Sequence, residues 1–522
     1  MTALPALDRR QLLALAAYAA AAGTLPRSAW GAPTLRHNPF SLGVASGDPT
    51  PDGFVLWTRL LPGADPLPAQ PIALRWEIAH DAAFQQIALL GSTLAQSALA
   101  HSVHVEVKGL EPGRWYHYRF VHGDAASTVG RAQTAPAAGT MPARLKLAFA
   151  SCQRWETGFY AAWAHVAREA PDLVLFLGDY IYEYATPPNT NGLARTHGLR
   201  HAQTLADYRD RYALHKSDPQ LQAAHAACPW AVTWDDHEVQ NDYVGITGRW
   251  EDDDFTAMRA AAYQAFYEHM PLRLPHGAAT TFNTLPLFRR IEWGQLAQLH
   301  VLDGRQFRDR QACRRAQASG AGAVKPGTCA ELSQPQRSFL GHGQERWLDS
   351  GLAHDAQQDT AWSVLAQQTL FSPRRYPSGV QSTDTWDGYP AARQRLTASI
   401  ARHTAGKTVL LGGDIHQNYV CRVGADQNAP QAGAAIASEF CGTSISSRAG
   451  TTQDKVDAIV RRNPHVLWAR CEERGYGMAE VTAKRWTTTL QAVDEPLRAD
   501  SGVHVQARFV VEPGGGGPVR TG

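Results

Sequence analysis

Residues 173–183 read LVLFLGDYIYE, an apolar run that stops abruptly at Gly178 and Asp179. Another apolar run, residues 145–150, precedes it, and residues 159–168 between the two have the pattern of a helix. This strand–helix–strand order is typical of an α/β domain with parallel strands. Because ligand sites of open α/β sheets form outside the carboxyl ends of the strands, the polar residues after each run become the residues of interest.

Four apolar runs of the chain end in residues that can bind a metal ion. The first ends at Cys152, and the second ends at Asp179 with Tyr182 close behind. The third runs into Asp235-Asp236-His237, and the fourth into Gly412-Gly413-Asp414-Ile415-His416. A thiolate and a phenolate suit a trivalent or soft metal, whereas carboxylates suit a hard divalent ion. The sequence therefore predicts a mixed two-metal site, which favours phosphoryl transfer because paired cations activate water and neutralise a phosphoryl oxygen.

Each of these motifs alone also fits an ordinary structural role. An Asp-Asp-His sequence can cap a helix, Gly-Gly-Asp-x-His can form a tight turn, and a single cysteine can be a small buried apolar residue. Their occurrence at four successive strand ends favours the metal site.

The segment 36–135 differs in character, with short runs of alternating apolar and polar residues broken by Gly, Pro and Asp. This pattern predicts a small β-sandwich of the immunoglobulin or fibronectin kind, in which Tyr116 or Tyr118 would form a tyrosine corner. We expect a catalytic domain over residues 143–510 and a flexible tail over residues 511–522.

The N-terminus predicts the compartment. Arg9 and Arg10 precede a short Ala/Leu-rich stretch, and Ala29-Trp30-Gly31 supplies small residues for a signal peptidase. Residues 1–31 therefore read as a twin-arginine-type signal peptide, with an ordinary N-terminal helix as the alternative. This interpretation predicts a periplasmic or secreted protein exported by the twin-arginine machinery.

Composition excludes several classes of protein. A formal charge of +2 with 19% charged residues is typical neither of a disordered chain nor of a nucleic-acid-binding protein. No segment after the leader approaches about 18 uninterrupted apolar residues, so the sequence predicts no membrane span in the mature protein.

Four ordered motifs carry a resemblance to a known family: residues 150–153 (ASCQ), 177–183 (LGDYIYE), 234–239 (WDDHEV) and 411–417 (LGGDIHQ). They resemble the PhoD-like alkaline phosphatases, a branch of the calcineurin-like metallophosphoesterases. The likeness spans nearly the whole mature chain and implies a four-layer α/β/β/α sandwich behind the small β-sandwich. It also implies an exported metal-dependent alkaline phosphatase that hydrolyses small phosphomonoesters and phosphodiesters through a metal-activated hydroxide. The protein is expected to be a monomer.

The resemblance further implies a set of metal ligands. Asp179 would bridge Fe³⁺ and Ca²⁺, and either metal could be replaced by Zn²⁺ or Mn²⁺. The iron ligands would be Cys152, Asp179, Tyr182 and His416. The calcium ligands would be Asp236 and Asp414, joined by Asp235 and Asn241.

Three further residues are predicted to act on the phosphate ester. His237 follows a ligand carboxylate, where the superfamily places a histidine that contacts phosphate and protonates the leaving alkoxide. Arg154 and Arg305 are predicted phosphate clamps, because a guanidinium pairs with phosphate oxygens; a surface or structural arginine is the alternative for both.

Other interpretations remain open from the sequence. One is a diesterase with a phospholipase D-like preference, and another is a non-catalytic exported protein that binds through its β-sandwich. The count of seven cysteines is odd. Cys152 as a metal ligand would account for one sulfur, while Cys313 and Cys329 could form a disulfide or remain thiols. Buried thiols are expected at Cys228, Cys421, Cys441 and Cys471.

Overall fold

The computed structural model describes residues 37–63, 66–249, 255–273, 282–314, 321–426 and 433–522. The predicted signal peptide, residues 1–31, lies outside these ranges. The chain divides into two compact units. The first comprises Met1–Ala135, Ala202–Trp230 and Thr256–Pro286. The second comprises Pro136–His201, Ala231–Phe255 and Leu287–Gly522.

The strands, in chain order, are β1 (Val44–Thr50), β2 (Gly53–Arg59), β3 (Ile72–Ala79), β4 (Ile87–Ala95), β5 (Ser102–Val107), β6 (Trp115–His122), β7 (Ala125–Ala126), β8 (Gly130–Gln133), β9 (Leu145–Ala150), β10 (Leu173–Phe176), β11 (Pro229–Val232), β12 (Arg289–Trp293), β13 (Ala297–Val301), β14 (Ala323–Val324), β15 (Trp362–Ala366), β16 (Gln381–Ser382), β17 (Thr408–Gly412), β18 (Asn418–Gly424), β19 (Ala435–Cys441), β20 (Val466–Arg470), β21 (Gly475–Thr482), β22 (Arg485–Val493), β23 (Val503–Val511) and β24 (Val519–Arg520). The α-helices are α1 (Ala161–Glu169), α2 (Leu205–Lys216), α3 (Pro219–Ala227), α4 (Phe255–His269), α5 (His342–Gln357), α6 (Pro390–His403) and α7 (Gln453–Arg462).

The first unit contains the predicted β-sandwich. One sheet has the order β4-β3-β6, with β7 and β8 paired to β6, and the facing strands are β1, β2 and β5. Apolar side chains from both layers, including Phe54, Leu74 and Phe120, form one buried core. The hydroxyl of Tyr116 accepts a hydrogen bond from the backbone N–H of Glu111, 3.0 Å away, as a tyrosine corner does.

Three helices that the sequence assigns to the catalytic region 143–510 pack in this first unit instead. They are α2, α3 and α4. Helices α2 and α4 contact β2 and β5, whereas α3 packs against β1 and β8. Trp57 of β2 donates from its indole to the carbonyl of Glu268, at 2.9 Å. Its cross-strand neighbour His104 stacks on Tyr267 with ring centroids 4.3 Å apart. The helices thus cover the aromatic groups on this face of β2 and β5, while Phe54 of β2 lies in the sandwich core on the other face.

The second unit is the predicted four-layer sandwich. The strands of one sheet in this unit have the order β24-β23-β22-β21-β9-β10, followed by β11, whose last two residues belong to the unit. The other sheet has the order β12-β13-β15-β17-β19-β18-β20. The sheets pack face to face through Trp362 against Trp486 and Phe440 against Phe509. Helix α1 covers the first sheet, while α5, α6 and α7 cover the second. Since each sheet buries both faces, its central strands read as continuous apolar runs.

The structure corrects the prediction of a flexible tail over residues 511–522. The chain turns after β23, with Gly514 and Gly517 at φ of 70° and 102°, and returns as β24. Phe509 lies opposite Arg520, and Val510 lies opposite Val519. The run of four glycines suggested disorder, but its first and last members supply the left-handed conformations that this turn needs.

Within the described ranges, no helix is both long and apolar enough to cross a membrane.

Candidate metal centre

Four of the predicted ligands follow the carboxyl ends of strands and sit on strained backbone. Cys152, Asp179, Asp414 and His416 all have positive φ, between 55° and 65°. Non-glycine residues rarely adopt this conformation, and it persists where surrounding contacts enforce it, often at functional sites. Here the sharp turn after each strand aims the side chain into a common space.

Four predicted iron ligands come together. Donor atoms of Cys152, Asp179 and His416 lie within 4.8 Å of one another. The hydroxyl of Tyr182 is 2.9 Å from Oδ2 of Asp179 and 3.1 Å from Nε2 of His416. A thiol, a carboxylate, a phenol and an imidazole thus converge from three strand ends.

His416 is oriented as a ligand. Its Nδ1 donates to the carbonyl oxygen of Arg448 at 2.9 Å, so the lone pair of Nε2 is the one that faces the cluster. Burial lowers the pKa of His416 to about 4, which keeps the ring neutral and able to bind a cation.

A second group shares one member with the first. Donor atoms of Asp179, Asp236 and His237 also lie within 4.8 Å of one another. Asp179 therefore stands between the two groups, where a carboxylate could bridge two cations.

The remaining predicted calcium ligands, Asp235, Asp414 and Asn241, are not members of this second group. Asp235 directly precedes Asp236 and accepts a hydrogen bond from Nε of Arg305 at 2.5 Å. Burial raises the pKa of Asp414 to about 6, and the nearby carboxylates of Asp236 and Asp384 add to the shift while Arg305 opposes it. The side chain of Asn241 accepts from the hydroxyl of Tyr184 at 2.9 Å, so its oxygen already has one partner.

The residues present fit a pair of metal ions. Oδ1 of Asp179 and Oδ2 of Asp235 are buried and accept no hydrogen bond within the described part of the chain. Burial, together with neighbouring carboxylates, holds the pKa of Asp179 well above its usual range and raises that of Asp235 to about 7 despite Arg305. Buried carboxylates this close repel one another unless a cation lies among them.

His237 is held by a carboxylate that the sequence analysis did not identify. Its Nδ1 lies 2.7 Å from Oε2 of Glu183, whose other oxygen accepts the backbone N–H of Asn241 at 2.9 Å. Burial alone would lower the pKa of His237, but Glu183, Asp236 and Asp179 outweigh it and raise the pKa well above its usual value. The available sequence signal was an acidic residue directly after Tyr182.

Two further carboxylates brace the site and were also missed. Glu238 accepts backbone N–H groups of Asp179, Tyr180 and Asp235, at 3.1, 2.5 and 2.8 Å. It thereby ties the turn after β10 to the turn after β11. Asp384 pairs with two buried arginines, Arg305 and Arg308; nothing in its local sequence distinguishes it from other acidic residues.

The two predicted phosphate clamps differ in their surroundings. Arg305 is fully buried, and its guanidinium contacts Asp235 at 2.5 Å and Asp384 at 3.0 Å. These contacts favour the structural alternative for Arg305, which positions Asp235. Arg154 is a quarter exposed, pairs with Glu156 at 3.2 Å, and lies 5.8 Å from the ring of Tyr182.

The cysteines divide into a disulfide and free thiols. Cys313 and Cys329 form a disulfide across a separation of 16 residues. Five cysteines are free and buried, which confirms the expected state of four of them and leaves Cys152 available at the site: Cys152, Cys228, Cys421, Cys441 and Cys471.

Comparison with known proteins supports one family along the chain. The model of the PhoD-like phosphatase family matches residues 147–490, and that of the PhoD-like phosphatase N-terminal domain matches residues 25–136. Alkaline phosphatase D of Bacillus subtilis (strain 168) is 42% identical over 501 residues, which cover 92% of this chain and 82% of that protein. A solved structure described as the structure of PhoD superposes with a TM-score of 0.87 at 39% identity, covering 94% of both chains.

Proposed function

The chain belongs to the PhoD-like phosphatase family and is a phosphoric ester hydrolase, and on this premise we propose that it cleaves phosphomonoesters and phosphodiesters at the centre around Asp179. The observation that carries the proposal is the position of Asp179 in two donor groups at once. A carboxylate shared in this way suits two cations that together bind one phosphoryl group.

The donor set divides between the two cations. Cys152, Tyr182 and His416 offer soft or electron-rich donors suited to Fe³⁺, whereas Asp236 and Asp414 offer oxygen donors suited to Ca²⁺. Asp235 and Asn241 lie beside the oxygen-rich half. When bound, such a pair supplies Lewis-acid activation of water and neutralises charge on the phosphoryl oxygens.

The chain's own residues position the ester and manage one proton. Glu183 engages Nδ1 of His237, so Nε2 is the ring nitrogen that can contact the ester. The raised pKa of His237 keeps a proton available for the departing alkoxide, which otherwise leaves as a strong base. Arg154 is itself a quarter exposed and lies over the ring of Tyr182, where its guanidinium can reach a phosphate oxygen.

The test combines metal analysis with two substrates. Purified protein is assayed for iron, calcium, zinc and manganese, and for hydrolysis of 4-nitrophenyl phosphate and bis(4-nitrophenyl) phosphate. Asp179→Asn should lose most of both activities and at least one metal. Asp500→Asn, a matched change at an exposed position, should retain both. Full activity and metal content in Asp179→Asn would refute the shared-ligand assignment.

Export by the twin-arginine route is part of the proposal. Its support is the Arg9-Arg10 pair before the Ala/Leu-rich stretch and the small residues at Ala29 and Gly31. Replacing both arginines by lysine should trap the protein in the cytoplasm of a bacterial host, as cell fractionation would show. Normal export of the Lys-Lys variant would contradict the route without affecting the assignment of the active site.

A further inference from the structure

An arginine-rich cavity lies apart from the donor groups of the metal centre. Its volume is about 400 Å³. The loop 373–381, which follows β15, lines one side. The start of α6, the last residue of α7, Asp387 and residues between 326 and 333 line the rest. Four arginines contribute to its wall: Arg374, Arg375, Arg393 and Arg462.

Asp387, the acidic residue in the cavity wall, does not balance the positive charge of the four arginines. Asp387 pairs with Nη1 of Arg393 at 2.5 Å and accepts the backbone N–H of Arg374 at 3.0 Å. Both of its oxygens are thereby engaged. Four guanidinium groups around one carboxylate leave an excess of positive charge, and clefts of one sign concentrate counter-ions.

Two of the arginines retain capacity for a ligand. Arg393 is only 5% exposed, and its Nε has no hydrogen-bond partner within the described residues. Arg462, at the end of α7, is exposed and makes no ion pair in the part of the chain that the structure describes. A buried guanidinium donor without a partner is costly, and an oxyanion in the cavity would relieve that cost.

The rest of the wall is held in place. The guanidinium of Arg374 lies 5.1 Å from the ring centroid of Tyr376. The backbone of Arg375 is fixed by Asn463, which accepts its N–H at 3.0 Å and donates to its carbonyl at 2.9 Å. These contacts fix the backbone from which Arg374 and Arg375 extend, and guanidinium groups match phosphate oxygens in pairs.

The cavity is electrostatically linked to the metal centre. Burial raises the pKa of Tyr376, Arg374 opposes that shift, and the charges of Asp387 and Asp414 add to it. A cavity residue thus lies within the field of a predicted metal ligand. If one molecule occupied both sites, it would carry two phosphate groups.

We infer that the cavity formed by Arg374, Arg375, Arg393 and Arg462 is a phosphate-binding subsite distinct from the metal centre. Its ligand is either a second phosphate group of a substrate whose scissile ester lies at the metals or free inorganic phosphate. The first source rests on the proposed function, whereas the second does not.

Titration calorimetry with inorganic phosphate tests the site itself. The metal-loaded parent should bind phosphate at two sites per chain. The double variant Arg375→Gln/Arg462→Gln should lose one of them or weaken it at least about tenfold, because each lost charged hydrogen bond costs about that much. Arg461→Gln, an exposed neighbour on α7 outside the cavity wall, is the control and should bind as the parent does. Two unchanged sites in the double variant would overturn the inference.

Kinetics separates the two sources of phosphate. Propyl phosphate and propane-1,3-diol bisphosphate differ only in a second phosphate group. If the subsite serves substrate, the double variant should raise KM for the bisphosphate at least about tenfold, with kcat and the KM for propyl phosphate unchanged. If KM is unchanged while the calorimetric site is lost, the ligand is free phosphate. A parent that hydrolyses neither ester would refute the proposed function, and calorimetry would still test the cavity.

Discussion

Nδ1 of His237 lies 2.7 Å from Oε2 of Glu183, although the two residues are 54 positions apart in the chain. The contact fixes the orientation of the imidazole and stabilises its protonated form. Since the ring also packs on Tyr182, with centroids 4.2 Å apart, it is held beside the predicted iron ligand. We therefore predict that Glu183 positions His237, the proposed general acid, and does not itself contact substrate.

Glu183→Gln should lower kcat for 4-nitrophenyl phosphate by about tenfold or more, with KM changed less than about threefold, because residues that orient a catalytic group contribute on that scale. Glutamine keeps the size of the side chain but removes the charge that favours the imidazolium. Metal content should stay at the parent value, and Glu480→Gln on the exposed side of β21 should leave kcat unchanged. Loss of metal in Glu183→Gln would instead show that Glu183 is needed to hold the metal ligands in place.

Arg305→Met should lower the free energy of unfolding by about 3–5 kcal/mol, because it leaves buried carboxylates without their cation. The guanidinium of Arg305 contacts Asp235 and Asp384, and all three side chains are buried. Arg305→Lys keeps one charge and should recover part of the loss. Urea unfolding of the metal-loaded proteins measures the effect.

The control for this series is Arg402→Met, whose side chain is 65% exposed and which should change stability by less than about 0.5 kcal/mol. If Arg305→Met were as stable as the control, the structural role of Arg305 would fail and the phosphate-clamp role would regain support.

The layers of the catalytic unit could be predicted because strands that are buried on both faces have continuous apolar sequences. Residues 145–150 and 173–177 show this directly, and β9 and β10 form there. The tail was misjudged because glycine runs are typical both of disorder and of tight turns. Only the pairing of β24 with β23 distinguishes the two.

The contacts around the site were less predictable, because they join residues far apart in sequence. Cys152, Asp179 and His416 could be grouped, since each follows an apolar run at a strand end. The partners of Glu183 and Arg305 could not be predicted. The role of a carboxylate or guanidinium depends on the groups next to it in the fold, and local sequence does not show them. The same limit explains why α2 and α4 were placed with the wrong unit: their partners, such as Trp57, lie more than a hundred residues earlier.

Removal of the disulfide by Cys313→Ser/Cys329→Ser should lower the free energy of unfolding by about 3 kcal/mol, the loop-entropy value for a closure of this length. The bridged segment is anchored at β14, which pairs with β16 two residues before Asp384. Reducing agent should shift the urea midpoint of the parent toward that of the double variant and leave the variant unaffected. An equal response of both proteins to the reductant would show that the effect arises elsewhere.

Lys216 should make the stability of the first unit depend on pH. Its ammonium group is buried, 4.2 Å from the ring centroid of Trp57 and 3.5 Å from Nε2 of His225. Burial lowers its pKa from 10.5 to about 7. Between those two values the unfolded chain binds more protons than the folded one, so stability rises with pH across that window. Below pH 7 both states are protonated, and the full cost of burying the cation is present.

Lys216→Met removes this dependence while keeping a long unbranched side chain. Relative to the parent, the variant should gain stability on the order of 3 kcal/mol near pH 7, reduced somewhat by loss of the cation–π contact with Trp57, and the gain should shrink toward zero near pH 10. Urea unfolding followed by tryptophan fluorescence at pH 7, 8.5 and 10 measures it, with the exposed substitution Lys484→Met as the control. A stability difference that stays constant from pH 7 to pH 10 would show that Lys216 keeps its charge throughout, because the aromatic ring and its other neighbours then outweigh the cost of burial.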